Sequence, residues 1–175
     1  MRHFLVILVC SLAAVPAAVA GSSATGDGVL ELKAVYGKVT IGKAALPARG
    51  LLWGQMDSGK LIVEDPVLGD GKILVTGWEN KTYTPASTFD GTPAQTTYTG
   101  ANIHFRVTGG KYRLIFRGSG IDLTAIGSGV AYLNASETAL DAGYYAVDAG
   151  DWTAAPLFTV KSVPFGTPTA PLPSP

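Results

Sequence analysis

Cysteine is almost missing from this chain: Cys10 is the one copy, and it stands inside an apolar leader. Arg2 supplies a positive start, Phe4 to Val15 an apolar run, and Ala18-Val19-Ala20 a small-residue cleavage pattern before Gly21. Together these predict an export signal over residues 1–20. Reading Cys10 as a lipid anchor fits less well, because Ile7-Leu8-Val9 lacks the small residues such processing needs. Removing the signal discards Cys10 and His3. The mature chain then has no disulfide, no thiol nucleophile and no Cys/His metal cluster.

Long hydrophobic runs are equally scarce. The leader is too short to span a bilayer, and no second run of membrane length follows. Excess charge of either sign is absent too: 13 Lys+Arg balance 13 Asp+Glu. A nucleic-acid partner calls for a basic surface, so this balance argues against one. No Gly-x-Ser-x-Gly elbow occurs, and His104 alone does not make a catalytic triad. No cofactor or metal is expected.

Glycine (22) and proline (11) are plentiful, and they punctuate short runs rich in Val, Ile, Leu, Thr and Tyr. No stretch holds a helical period for three turns. The predicted strands are 29–36, 38–41, 50–56, 60–65, 72–78, 102–108, 111–117, 129–133, 144–147 and 157–163. This grammar gives an all-β fold, an antiparallel sandwich of about nine or ten short strands, with a partly closed barrel as the alternative. The expected organisation is a flexible segment at 21–28, a single β domain at 29–165 and a disordered Pro-rich tail at 166–175. Between the strands, Thr82 to Thr99 reads as a long Thr/Pro-rich loop, with a strand near its end. A Gly-Lys pair recurs at Gly37-Lys38, Gly59-Lys60, Gly71-Lys72 and Gly110-Lys111, each read as a turn feeding a strand guarded by lysine.

The sharpest local expectation is a hairpin around Gly109-Gly110. A two-residue loop sets Val107 opposite Tyr112, Arg106 opposite Arg113, Phe105 opposite Leu114 and Ile103 opposite Phe116. The apolar pairs then share one face. His104, Arg106, Lys111, Arg113 and Arg117 share the other, a cationic face suited to a carboxylate, phosphate or sulfated sugar. On that register Arg113→Glu should cost little stability, since it replaces a like-charge pair with an opposite one.

Weaker patterns bound the alternatives. Glu64, Asp65, Glu79 and Glu137 are the candidate acids for a small glycan-acting hydrolase. Trp53, Trp78 and Trp152 can stack on sugar rings, though Trp53 and Trp78 lie in strand patterns that suggest the core. Asp141, Asp148 and Asp151 read as turn residues. Gly118-Ser119-Gly120 and Gly127-Ser128-Gly129 are nine residues apart, the spacing of calcium β-rolls, but Ala131 stands where the second Asp belongs. Two β-turns explain that spacing as well. Asn80-Lys81-Thr82 and Asn134-Ala135-Ser136 fit the N-glycosylation pattern.

Phe105-Arg-Val-Thr-Gly-Gly-Lys-Tyr-Arg-Leu114 followed by Gly118-Ser-Gly-Ile-Asp-Leu-Thr-Ala-Ile-Gly-Ser-Gly129 resembles a pattern in small exported bacterial proteins of unassigned function. The resemblance covers 102–133 and implies an exported all-β domain, with no catalytic residues to carry over. The functional expectation is a non-enzymatic domain, secreted or in the cell envelope or periplasm. It would bind a glycan, an anionic small molecule or a protein partner.

Overall fold

The computed structural model describes residues 26–67, 69–89, 91–135, 143–155 and 159–167. The predicted signal, Glu137, Asp141, Ser136 and residues 168–175 lie outside them. Among the described residues eight strands make one sheet: β1 (Gly28–Ile41), β2 (Ala48–Glu64), β3 (Lys72–Thr76), β4 (Asn80–Thr84), β5 (Gln95–Ala135), β6 (Tyr144–Val147), β7 (Thr153–Ala154) and β8 (Lys161–Phe165). Among the described residues none is helical, so no helix is long and apolar enough to cross a membrane. The all-β, antiparallel expectation holds, and the sheet does not close into a barrel.

Several predicted strands are pieces of longer ones. β5 alone is 41 residues long. It passes β2 twice: Glu64 has Gln95 on one side and Arg113 on the other, while Arg49 lies between Lys111 and Ser128. It passes β1 twice as well, since Ile41 lies between Leu114 and Ala131. Partner numbers fall as the β1 and β2 numbers rise, which makes these ladders antiparallel. β5 is therefore a winding ribbon with β2 and β1 laid between its successive passes.

Chain reach shows how far the strands must bend. Ala48 pairs with Tyr112 and Glu64 with Arg113, which are chain neighbours. A straight strand of 17 residues would separate the ends of β2 by about 55 Å. The pairing instead brings them within roughly 14 Å of each other. β2 must fold back on itself.

Glycine rows form the two corners. Gly100, Gly59, Gly118 and Gly37 are neighbours across four adjacent strand passes. A second row, Gly50–Gly127–Gly28, crosses three, with Gly109-Gly110 at the next pass. Gly59 has φ +134, a conformation that L side chains rarely adopt. A Cβ on Gly118 would run into the carbonyl oxygen of Ser58. Each corner also flips which residues face inward. Leu30 and Leu32 are buried before Gly37, whereas Val39 and Ile41 are buried after it. Leu52 and Met56 give way to Leu61 and Val63 in the same manner.

The bent sheet thus presents two layers to one core. Phe105 of one layer meets Phe116 of the other with ring centroids 4.7 Å apart. Leu52, Met56, Ile103, Leu114 and Ile121 fill the space between them, all at 0–1% exposure. Burying each such side chain contributes about 2 kcal/mol.

The expected hairpin does not form. Val107 lies between Leu52 of β2 and Ile73 of β3, which leaves it no edge for Tyr112. The face assignment survives, because Ile103, Phe105, Val107, Tyr112, Leu114 and Phe116 are all buried. The two Gly-Ser-Gly motifs and the Gly-Lys pairs at 37–38 and 59–60 are likewise mid-strand corners, not turns. Within the predicted Thr/Pro-rich loop, β4 and the start of β5 are paired strands, Asn80 to Thr84 against Thr99 to Gln95. Residues expected at the loose ends are tied down too: Thr167 N–H donates to Gly26 O at 2.7 Å.

Two predictions follow from this packing. Gly118→Ala should lose about 3 kcal/mol or more in urea unfolding. Gly109→Ala, with φ +84 and open space around it, should lose about 1 kcal/mol. Equal losses would show that the corners do not depend on close strand approach. The second concerns Tyr112, whose hydroxyl is buried without a hydrogen-bond partner. Burial raises its pKa above the ordinary 10.0. The folded state therefore holds the phenol proton more tightly, and stability falls as pH rises past 10.0. Tyr112→Phe should match or exceed the parent by up to about 1 kcal/mol at neutral pH and lose less on alkaline titration.

Candidate functional site: a cationic row along one corner

One residue beyond the first glycine corner, the outward positions are Lys60 on β2, Arg117 on β5 and Lys38 on β1. Lys60 faces Arg117, and Arg117 faces Lys38. Antiparallel pairing creates this match: Gly-Lys on β1 and on β2 aligns with Arg-Gly read backwards on β5. All three side chains are exposed. Among the described residues the salt bridges are Lys33–Asp122 at 3.7 Å and Arg113–Glu64 at 2.7 Å, and neither involves this row.

On the other side of the glycines stands a neutral bank. Ser58 and Ser119 are cross-strand neighbours whose hydroxyl oxygens lie 2.9 Å apart, and Tyr36 faces Ser119. Between the banks the glycines contribute no side chain. The result is a surface depression of about 500 Å³ whose lining includes Tyr36, Lys38, Ser58, Arg117 and Asn134. Asp57 lies beyond the serine bank, against Gly120.

The second corner carries a depression of similar size, about 530 Å³, but mixed charge. Asp27 and Asp70 line it together with Arg49 and Lys111. Arg49 Nε donates to Ser128 Oγ at 2.8 Å, and the Lys111 backbone N–H donates to Asp70 Oδ2 at 3.0 Å. Carboxylates and cations thus share the lining of the second depression, whereas the lining residues of the first include cations and no carboxylate.

The structure does not gather the five cationic residues singled out from sequence. His104 and Arg106 lie in the layer that contains β3, facing Thr76 and Leu74. Lys111 belongs to the second corner. Arg113 donates from Nη1 to both Glu64 oxygens, at 2.7 and 2.8 Å, and its Nε is buried without a partner. Arg117 alone joins the row, where Lys38 and Lys60 are the residues sequence reading missed. Their signal was the Gly-Lys recurrence, read as turn chemistry.

The other candidates are dispersed. Trp53, Trp78 and Trp152 are 42%, 42% and 47% exposed, so the core role expected for the first two is wrong. Pairing aims Trp53 outward with Leu51, and Trp78 packs on Tyr98 with centroids 6.2 Å apart. Glu64 is engaged by Arg113, and Asp65 accepts from Val67 N–H at 3.2 Å. Among the described residues no group of three or more His, Cys, Asp or Glu is placed to hold a metal ion. No protein family, curated protein or solved structure matches the chain.

Finding Glu64 as the partner of Arg113 reverses the expectation for Arg113→Glu. Glu64 is 7% exposed, and the substitution would set a second carboxylate against it. The loss should be about 3 kcal/mol in chemical denaturation. The double variant Glu64→Leu/Arg113→Met should recover most of it. A neutral single substitution would mean that this ion pair does not hold the end of β2 against β5.

Proposed function

We propose that this chain is an exported, non-enzymatic β domain that binds an anionic ligand along the Lys60–Arg117–Lys38 row. The observation that carries the reading is three cations in register on adjacent strands with no carboxylate of the described residues in salt-bridge reach. Cross-strand like charges repel. At about 5 Å in a water-like dielectric each adjacent pair costs up to about 0.8 kcal/mol, less where the heads splay or salt screens them. A bound anion relieves that repulsion and makes charge-assisted hydrogen bonds with Arg117.

The rigid backing supports this reading. The row sits on the central strands of the sheet, so its spacing is fixed by backbone pairing rather than by a loop. The balanced total charge favours a local anion site over general attraction to polyanions.

Arg117→Glu tests the proposal because it should separate stability from binding. It places an opposite charge between two lysines, so stability at low salt should stay level or rise by a few tenths of a kcal/mol. Binding to fluorescent dextran sulfate, read by anisotropy, should fall about tenfold or more. The parent's binding should weaken at high salt. Undiminished binding by a folded Arg117→Glu protein would overturn the assignment.

A further inference from the structure

Resting on that anion-binding reading, we infer that the ligand is a linear acidic glycan lying across the strands, with its charges on the cationic bank. The three cations do not converge on a point. They are strung along a line at the interstrand spacing of about 4.8 Å, which puts the outer two about 10 Å apart. One small oxyanion would meet all three only with both lysine stems folded in toward Arg117. A chain with repeating charge meets them where the strands place them, and a pyranose polymer advances by about one interstrand spacing per sugar.

The uncharged features of the groove fit the same ligand. The row continues to Thr99 on one side and Asn134 on the other, so it crosses five strand passes. The Ser58–Ser119 hydroxyl pair offers a donor and open lone pairs for sugar hydroxyls opposite the cations. Tyr36, 49% exposed, closes the neutral bank with a ring face on which a sugar can stack. Single-stranded nucleic acid would want successive aromatic platforms, and this depression has Tyr36 alone among its lining residues. The glycine floor between the banks adds no side chain to the groove, and a Cβ on Gly59 would strike the Arg117 carbonyl oxygen of the adjacent strand.

The test is a length series measured by calorimetry on the folded domain. It uses oligogalacturonates from one to six sugars, a matched sulfated oligosaccharide series, sodium sulfate, neutral cello-oligosaccharides and a single-stranded oligonucleotide. For at least one acidic series, affinity should rise about tenfold or more between one and four sugars and then level off. Tyr36→Ala should weaken the acidic tetramer several-fold while leaving the salt dependence of the remaining binding unchanged, because the three cations stay in place. Sodium sulfate binding as well as the tetramer, with no dependence on length, would overturn the chain reading and leave the anion reading standing. An oligonucleotide binding as tightly as the best acidic tetramer would overturn the glycan assignment. Failure of both acidic series, of sulfate and of dextran sulfate would remove both readings together.

Discussion

The bend at the glycine corners is the constraint on which everything else depends. β-Strands twist but resist folding through a sharp angle, because Cβ atoms and carbonyl oxygens of neighbouring strands collide. Four adjacent strand passes here fold at one row, Gly100, Gly59, Gly118 and Gly37. A Cβ on Gly59, Gly100 or Gly118 would strike neighbouring backbone, so the bare glycines let the strands close in and turn together. Pairing therefore continues through the corner, and β5 can run for 41 residues without leaving the sheet. Without the bends, the ends of β2 could not reach the adjacent residues Tyr112 and Arg113.

That geometry explains a spacing which local reading assigned to turns. Gly28 and Gly37, Gly50 and Gly59, Gly100 and Gly109, and Gly118 and Gly127 all show the same nine-residue step. Nine residues is the length of one layer from corner to corner. With Gly109 to Gly118 the step occurs five times, and the Gly-Ser-Gly pair at Gly118 and Gly127 is one instance that two corners explain without calcium. Along β5 the step runs unbroken through Gly100, Gly109, Gly118 and Gly127, while the copies on β1 and β2 stand apart in sequence. Three-dimensional pairing sets them side by side.

Fold class and facing were legible in the residues, while pairing was not. Alternation of apolar and polar residues placed Ile103, Phe105 and Val107 inward, and all three are buried. Facing follows from a period of two within one segment. Pairing depends on which distant strand competes for an edge, and Gly109-Gly110 gave a convincing local answer that β2 and β3 displaced on both edges of Val107. The same gap scattered the five cationic residues: Arg106 and Arg113 were opposite only in the hairpin. Lys38 and Lys60 went unread because a lysine beside a glycine usually guards a strand. Their alignment with Arg117 appears only once β5 is known to pass between β1 and β2.

On the proposed reading, placing the cations beside the corner sets stability against recognition. A corner needs glycine, which contributes no side chain to cover the backbone, so both banks are left facing each other across an open floor. Acidic residues opposite Arg117 would neutralise the cationic bank and close it to a ligand. Glu64 does this for Arg113 within the same layer, and Asp122 pairs with Lys33 in the other. At the second corner, Asp27 and Asp70 share the depression with Arg49 and Lys111. The fold thus provides counter-charges where its own integrity is served. Along Lys60, Arg117 and Lys38 the sheet holds three cations in register with no salt bridge from the described residues, and on the proposed reading a bound anion supplies the counter-charge.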